Sequence, residues 1–434
     1  MLKQISTHQL RIGMHVHEVC GSWLAHPFWR GAFQIEDAQQ IAQLRAVEQV
    51  IIDTSKGLDV EAAPVAELSL VPVAPAAPAS EPATQWIDDV EVSLSADDTA
   101  TWQSGSVPAG QRQPDQPTLH DELTRARQVV DSAGQAMQAM FNDARLGRAI
   151  DPQGCLPLVA EITASVQRHP GALISLARLK TADDYTYLHS VAVCALMVML
   201  SRQLQLDEAT TREAGLAGLV HDIGKALMPV GVLNKPGALT PEEFAIMKRH
   251  PATGCQMLKE AQGVGPIALD VALHHHEKIN GLGYPHGLLG SAISLYARMA
   301  AVCDVYDAIT SNRPYKGGWD PADALQKMAV WAREGHFDDQ VFQAFVKGLG
   351  IYPTGSLVRL QSDRLAVVVE QGGGSLLKPM VRVFHCARRK QALPPTLIDL
   401  AAPGVNDPIV AREQAADWGF TAVQTNALWQ AQAA

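Results

Sequence analysis

Residues 212–225 read REAGLAGLVHDIGK. Ala214, Ala217 and Val220 recur at helical spacing, so the stretch is an apolar helix that ends on a His-Asp pair. His221 and Asp222 place one nitrogen and two oxygen ligands at a single point of the backbone. A carboxylate has two oxygens and can bridge two cations. Lys225 lies three residues past Asp222 and four past His221, which on a helix puts it on their side. Taken alone, the pair is an ordinary helix cap with surface charges. The rest of the chain decides.

Working outward, similar residues recur where packing gives no reason for them. His189 sits in DDYTYLHSVAVCAL, inside an apolar helix. His250 lies in KRHPATG. His274, His275 and His276 are consecutive and are followed by Glu277. Asp304 lies in ARMAAVCDVYDAIT, again polar in an apolar helix. Singly these read as a core histidine, a cap, a polar turn and a buried acid. Together, four separate helical segments present His or Asp with no better use for them. Neutral imidazoles and carboxylates without thiolates suit iron, manganese, zinc or nickel in a hydrolytic site.

The surrounding chain of 434 residues is organised in blocks. Residues 1–56 read as a small α+β domain, with a strand over Leu10–Glu18, a helix over Ile35–Val47 and a buried strand at Val50–Asp53. Residues 57–118 read as an acidic, Ala/Pro-rich linker. Between Gly57 and Gln111 there are nine acidic residues and no Lys or Arg, a composition that cannot offset its own ordering entropy. Residues 119–155 carry a connecting amphipathic helix with Val129, Val130, Ala133, Met137, Met140 and Phe141 on one face and Gly147 as its stop. Residues 156–350 are helix after helix. Residues 351–434 turn β-rich, with strand-like LVRL, LAVVVE and MVRVFH and an Ala/Gln-rich tail from Ala411 that says little. The fold class is therefore mainly α, with a small α+β domain before the helices and a small β extension after them.

Net charge is −10, which disfavours a binder of DNA or RNA polymer through a basic surface. The six cysteines, from Cys20 to Cys386, form no C-x-x-C pair, which argues against a thiolate zinc site and a disulfide scaffold. No signal-peptide core stands at the N-terminus. The longest apolar run, Val191 to Leu200, is too short for a bilayer. The expectation is a cytoplasmic protein without a membrane span.

The ordered set H…HD-x-x-K…H…HHE…GYP…D…RPYK resembles the HD-GYP family, a branch of the HD metal-dependent phosphohydrolases. The matching stretches are LVHDIGKALMPVGVLNKPGALTPEE, MKRHPATG, HHHEKINGLGYPHGLLG and ARMAAVCDVYDAITSNRPYK, from about Tyr185 to Lys316. LRIGMHVHE and SWLAHPF resemble the small domain of unknown function that often precedes HD-GYP domains. The resemblance implies an all-helical HD-type domain around two or three metals, and hydrolysis of cyclic di-GMP to linear pGpG and in some members to GMP. By motif, one metal takes His189, His221, Asp222 and Asp304. The second takes Asp222 as bridge with His250, His275 and His276, which leaves His274 out. Members with a third metal have Glu where this chain has Tyr185, so two divalent ions are expected, iron or manganese first and zinc or nickel as alternatives. Asn280 and Leu282 also depart from the family pattern, and loop geometry rather than chemistry should feel them.

The physics agrees. Two cations ~3.5–4 Å apart can hold a hydroxide at neutral pH, polarise phosphoryl oxygens and stabilise the leaving oxygen. Asp222 and Lys225 carry the catalytic roles, Lys225 by stabilising or protonating the leaving group. Arg313 and Lys316 offer phosphate contacts. Gly281, Gly283 and Pro285 suggest a tight loop that sets Tyr284 near the substrate or anchors it in the loop. Gly283, Tyr284, Pro285, Arg313 and Lys316 are thus the substrate-binding candidates. The alternatives are a sensor that binds cyclic di-GMP with little turnover, and a hydrolase of another nucleotide. The family also suggests contacts of the GYP loop with diguanylate cyclase (GGDEF) domains, and the connecting helix a homodimer.

Overall fold

A computed structural model of the chain describes residues 2–20, 33–35, 41, 49–58, 119–178, 185–235, 239–311, 318–372 and 375–431. Two compact units are present. One comprises Met1–Ala79 and Pro229–Met247, the other Ser80–Met228 and Lys248–Ala434.

In the first unit, β1 (Leu2–Ser6), β2 (His15–Cys20), β3 (Phe33–Gln34) and β4 (Gln49–Asp53) form an antiparallel sheet in the order β1-β4-β2-β3. Ile5, Met14, Val16, Val50 and Ile52 make its core. β4 is the buried strand expected at Val50–Asp53. The strand expected from Leu10 begins only at His15. A 3₁₀ turn at Thr7–Gln9, capped by Ser6, and Gly13 at φ +93° bring the chain round first. Leu10 and Met14 are buried through that turn and not through strand alternation. The helix expected over Ile35–Val47 lies, apart from Ile35 and Ile41, outside the described residues, as does the acidic linker beyond Leu58.

The second unit opens with α1 (Leu119–Arg145). Val130, Ala133, Met137, Met140 and Phe141 are buried as expected, while Val129, at the edge of the same face, is half-buried, and Gly147 at φ +67° ends the helical run. Next come α2 (Leu156–Arg168) and α3 (Pro170–Arg178). Glu122 on α1 is fully buried. Its carboxylate accepts from Ser165 Oγ at 2.8 Å and from Arg168 Nε and Nη2 at 2.7 and 2.9 Å on α2. Glu122→Ala strands a buried hydroxyl and half of a charge pair, so it should cost about 3 kcal/mol. Urea unfolding checks this: the midpoint falls at unchanged m. A loss below about 0.5 kcal/mol, the range of ordinary surface changes, would show that the tie between α1 and α2 is idle.

Two helices then set the centre of the fold, α4 (Tyr185–Gln203) and α5 (Glu208–Val220). The Val191–Leu200 run is buried on every side, which makes α4 a core helix. The glycines of REAGLAGLV let α5 lie directly on it. A Cβ at Gly218 would stand 2.9 Å from Met197 Cγ and 3.0 Å from the Val193 carbonyl oxygen. After α5 come α6 (His250–Glu260), α7 (Pro266–His274), α8 (Leu295–Thr310), α9 (Pro321–Arg333) and α10 (Asp339–Leu349). Among the described residues no helix is long and apolar enough to cross a membrane.

The C-terminal part is an antiparallel sheet of β5 (Leu357–Leu360), β6 (Arg364–Glu370), β7 (Met380–Cys386), β8 (Gln391–Asp399) and β9 (Ile409–Arg412), in the order β8-β7-β6-β5-β9. The first three are the expected strands. β8 went unread because Pro394 and Pro395 argue against a strand, and it survives as an edge, where missing N–H groups are tolerated. The tail is a correction. α11 (Ala422–Gln430) buries Trp429 completely, in one cluster with Leu123, Ala172, Leu365 and Val367. The sheet is thereby braced against α1 and α3.

Candidate metal centre

His221 caps the C-terminal end of α5, and Asp222 starts a 3₁₀ turn, Ile223–Leu227. Lys225 therefore reaches Asp222 across a 3₁₀ turn instead of along an α-helix, and its Nζ donates to Asp222 Oδ2. Gly224 fixes what lies opposite. A Cβ there would stand 2.1 Å from the His250 carbonyl oxygen and 2.5 Å from Gly254 N, so only glycine lets the start of α6 approach this turn. His189 comes from α4, His275 and His276 from the end of α7, and Asp304 from α8.

These side chains converge. Asp222, His250, His275 and His276 form one group whose ligand atoms all lie within 4.8 Å of one another, and His189, His221 and Asp304 form another. Asp222 stands between them. Its Oδ2 is 3.5 Å from His189 Nε2 and 3.4 Å from His221 Nε2. Its Oδ1 is 3.3 Å from His250 Nε2 and 3.6 Å from His275 Nε2. Asp304 Oδ1 is 3.0 Å from His189 Nε2, and its Oδ2 is 3.7 Å from His276 Nδ1. Except for His276, all seven are buried.

Three of the outer nitrogens are spoken for. His221 Nδ1 pairs with the Gly218 carbonyl at 2.8 Å, His275 Nδ1 with that of Val271 at 2.9 Å, and His189 Nδ1 with Asp307 Oδ2 at 2.6 Å. Each contact turns Nε2 inward, the arrangement that orients metal-binding imidazoles. His221 Nε2 and Asp222 Oδ1 are buried and have no hydrogen-bond partner. Buried polar atoms are normally satisfied, and a divalent cation is what such donor atoms fit.

Electrostatics point the same way. Burial disfavours charge on Asp222, but Lys225 and His221 outweigh it and hold the carboxyl well below the ordinary range. Burial is likewise outweighed at Asp304, chiefly by His189. Burial pushes the His250 imidazole down to about 4 and that of His276 well below its usual value, His275 adding to the latter. Both rings are neutral at pH 7 and offer lone pairs. At His189 burial acts downward, but Asp304 and Asp307 prevail and raise it.

The other candidates divide. His274 turns away from the centre, to Asp270 at 2.7 Å and His286 at 3.1 Å. Tyr284 is partly exposed, and its ring lies 4.7 Å from that of His276 at 31°. Burial first, then Asp304 and Asp222, raise its phenol well above the usual value, so it stays a donor. Gly283 presses on the backbone of Glu277 and Lys278, with 2.4 Å to a Cβ, while Pro285 is exposed. Asn280 shapes the loop, donating to the Glu334 carbonyl at 3.0 Å and accepting from Leu282 N at 3.1 Å. Arg313 and Lys316 lie outside the described residues. Two residues were missed. Asp307 holds His189, and buried Glu277 accepts from His286 N at 2.7 Å and Leu288 N at 3.0 Å, pinning the loop that carries Tyr284. An acid one turn after Asp304 and an acid directly after two candidate ligands were the available signals.

Comparison with known proteins bears on this centre. The family described as HD domain matches residues 161–341, and the domain of unknown function DUF3391 matches residues 2–155. A Pseudomonas aeruginosa protein, "Cyclic di-GMP phosphodiesterase PA4108", is 50% identical over 424 residues, 97% of this chain and 94% of that protein. The Xanthomonas campestris "Cyclic di-GMP phosphodiesterase response regulator RpfG" is 38% identical over 197 residues, 44% of this chain and 51% of that one. Among solved structures, an HDG"Y"P protein from Bdellovibrio bacteriovorus overlaps 80% of this chain and 99% of its own at 16% identity, with a TM-score of 0.45. Matched nearly end to end by a protein sharing half its residues, with HD, HHE and GYP each in place, the chain belongs to the HD-GYP family of HD-domain phosphohydrolases, with DUF3391 at its N-terminal side.

Proposed function

We propose that the chain is a phosphodiesterase that opens cyclic di-GMP to linear pGpG. The observation that carries this reading is Asp222, a buried carboxylate whose two oxygens face two different sets of imidazoles. HD-domain phosphohydrolases depend on metals, and the donor set fits two divalent ions. His189, His221, Asp222 and Asp304 would hold one, and Asp222, His250, His275 and His276 the other. Iron or manganese suits these ligands best, with zinc or nickel also accepted. When bound, the ions supply Lewis acidity toward the phosphoryl group and activate water at neutral pH. Tyr185, where three-metal members carry Glu, favours two ions and pGpG over GMP as main product.

The protein's own groups do the remaining work. Lys225 brings a positive charge and a proton to the departing oxygen. Tyr284, tilted against the His276 ring, offers a hydroxyl donor and a ring face at the rim. Glu277 keeps that rim fixed. Leu282 and Leu289 are 77% and 66% exposed on the same loop, which supports a docking role toward a diguanylate cyclase domain. The deciding experiment loads purified protein with Mn²⁺ or Fe²⁺ and follows cyclic di-GMP by chromatography. Linear product supports the proposal. Tight binding without product in fully loaded protein would establish a sensor instead.

Asp307→Asn tests the support of His189. The amide can accept from His189 Nδ1 as the carboxylate does, but it lacks the charge. Metal affinity at that position should fall about 10–100-fold, measured by competition with a chromophoric chelator, with the thermal midpoint of the ion-free protein little changed. Unaltered affinity would show that Asp307 only fills space.

A further inference from the structure

Outside the metal centre, a cavity of ≈ 170 Å³ lies between α3, α8 and the start of the C-terminal sheet, and Arg178 is in its wall. Arg178 is only 9% exposed. Its Nη2 donates to the Thr354 carbonyl at 3.2 Å, and the guanidinium also reaches the Tyr306 hydroxyl. Among the described residues no carboxylate oxygen comes within the 4.0 Å of an ion pair. Asp320 senses the charge only from farther away. A buried guanidinium without a counter-ion is costly, because burial of charge is tolerated when the charge is paired. Arg168, also in the lining, is held by Glu122, and His169 Nε2 lies 3.0 Å from Glu370 Oε1. Among the described residues, Arg178 is the lining guanidinium left without a carboxylate partner.

The cavity is built to take a ligand. Gly171, Ser175 and Arg178 lie on one face of α3 at helical spacing, and all three line it. His169 Nδ1 and Gln371 Oε1, also in the lining, are shut from solvent and have no hydrogen-bond partner. A guanidinium carries five N–H donors in a fork that matches an oxyanion, and the two contacts above leave donors to spare. The space is far more than the ~10–15 Å³ that one water needs, so the cavity admits a phosphate or a small carboxylate.

We infer that this cavity is a binding site for a small oxyanion, a phosphate or a carboxylate, with Arg178 as its counter-charge. The site is separate from the metal centre, although Asp307 of α8 belongs to its wall. The inference does not depend on the substrate proposed above.

The test is thermal unfolding of the full chain against increasing phosphate, acetate or succinate at constant ionic strength, with chloride as control. Phosphate also meets bound metals, so the titration is repeated in Asp222→Asn, which removes that competitor and leaves the cavity intact. The expected result is a saturable rise in midpoint with one class of oxyanion, retained in Asp222→Asn. It should weaken at least tenfold in Arg178→Gln. Ser175→Leu fills the cavity without touching the charge and should weaken it equally, which keeps the test open if Arg178→Gln folds poorly. A response to phosphate alone identifies a phosphate site, and a response to acetate or succinate a carboxylate site. No saturable response, or the same response in both cavity variants, overturns the inference.

Discussion

Asp222→Ala should abolish turnover of cyclic di-GMP and empty the proposed two-ion centre. The expected loss exceeds the roughly 10²–10³-fold that follows removal of one transition-state donor, because this carboxylate serves both halves of the site. Its Oδ2 faces His189 and His221 while its Oδ1 faces His250 and His275. No other side chain of the seven stands in both ligand sets. Removing it also removes the charge that opposes Lys225, leaving an ammonium against imidazoles. Metal analysis of the purified variant should give far less than one ion per chain, and circular dichroism should show the helices intact. Full metal content in Asp222→Ala would break the reading of Asp222 as the shared ligand. By contrast, His274→Ala should retain both metals, since that ring is engaged with Asp270 and His286.

The seven converging residues were legible because each breaks a local rule. A histidine within the Val191–Leu200 helix, or an acid within ARMAAVCD, has no packing advantage, and such violations gather at functional sites. The choice of His275 and His276 over His274 rested on motif register, and His274 pairs with Asp270. Asp307 and Glu277 were harder. Both are acids on or beside helices whose inward face the sequence does not mark, and their value lies in a hydrogen bond to a distant partner. The glycines of the α5 region were readable as small residues. Their real constraint, contact with the Val193 carbonyl oxygen and with His250, is set by packing between elements far apart in sequence. The C-terminal region was half legible. LVRL and LAVVVE carry strand composition, whereas β8 hides behind two prolines, and Trp429 is anchored by a tail whose Ala/Gln content signals nothing.

Lys225→Met should lower kcat by about 10²–10³-fold, the range for losing a single donor or general acid at the reacting group, while both metals stay bound. Lys225 is mostly buried, 22% exposed at its side chain, and lies against Asp222. Two roles are open to a cation there. It could merely offset the negative charge of Asp222 before the ions arrive. In that case its removal changes metal affinity and leaves the chemistry of the loaded enzyme alone. Alternatively it meets the charge that develops on the departing ribose oxygen, an alkoxide with a high proton affinity. Methionine keeps the length and the apolar stem but carries neither charge nor proton. A comparison of substrates separates the two. Bis(p-nitrophenyl) phosphate releases a phenolate that needs little help from a proton, so Lys225→Met should cut it at close to the wild-type rate while losing cyclic di-GMP cleavage. Equal losses on both substrates, with metal content reduced, would assign Lys225 to charge balance. Lys225→Arg sharpens the point. It restores the charge, but a planar guanidinium delivers no proton in place of the ammonium, so partial recovery supports electrostatic stabilisation and no recovery supports proton donation.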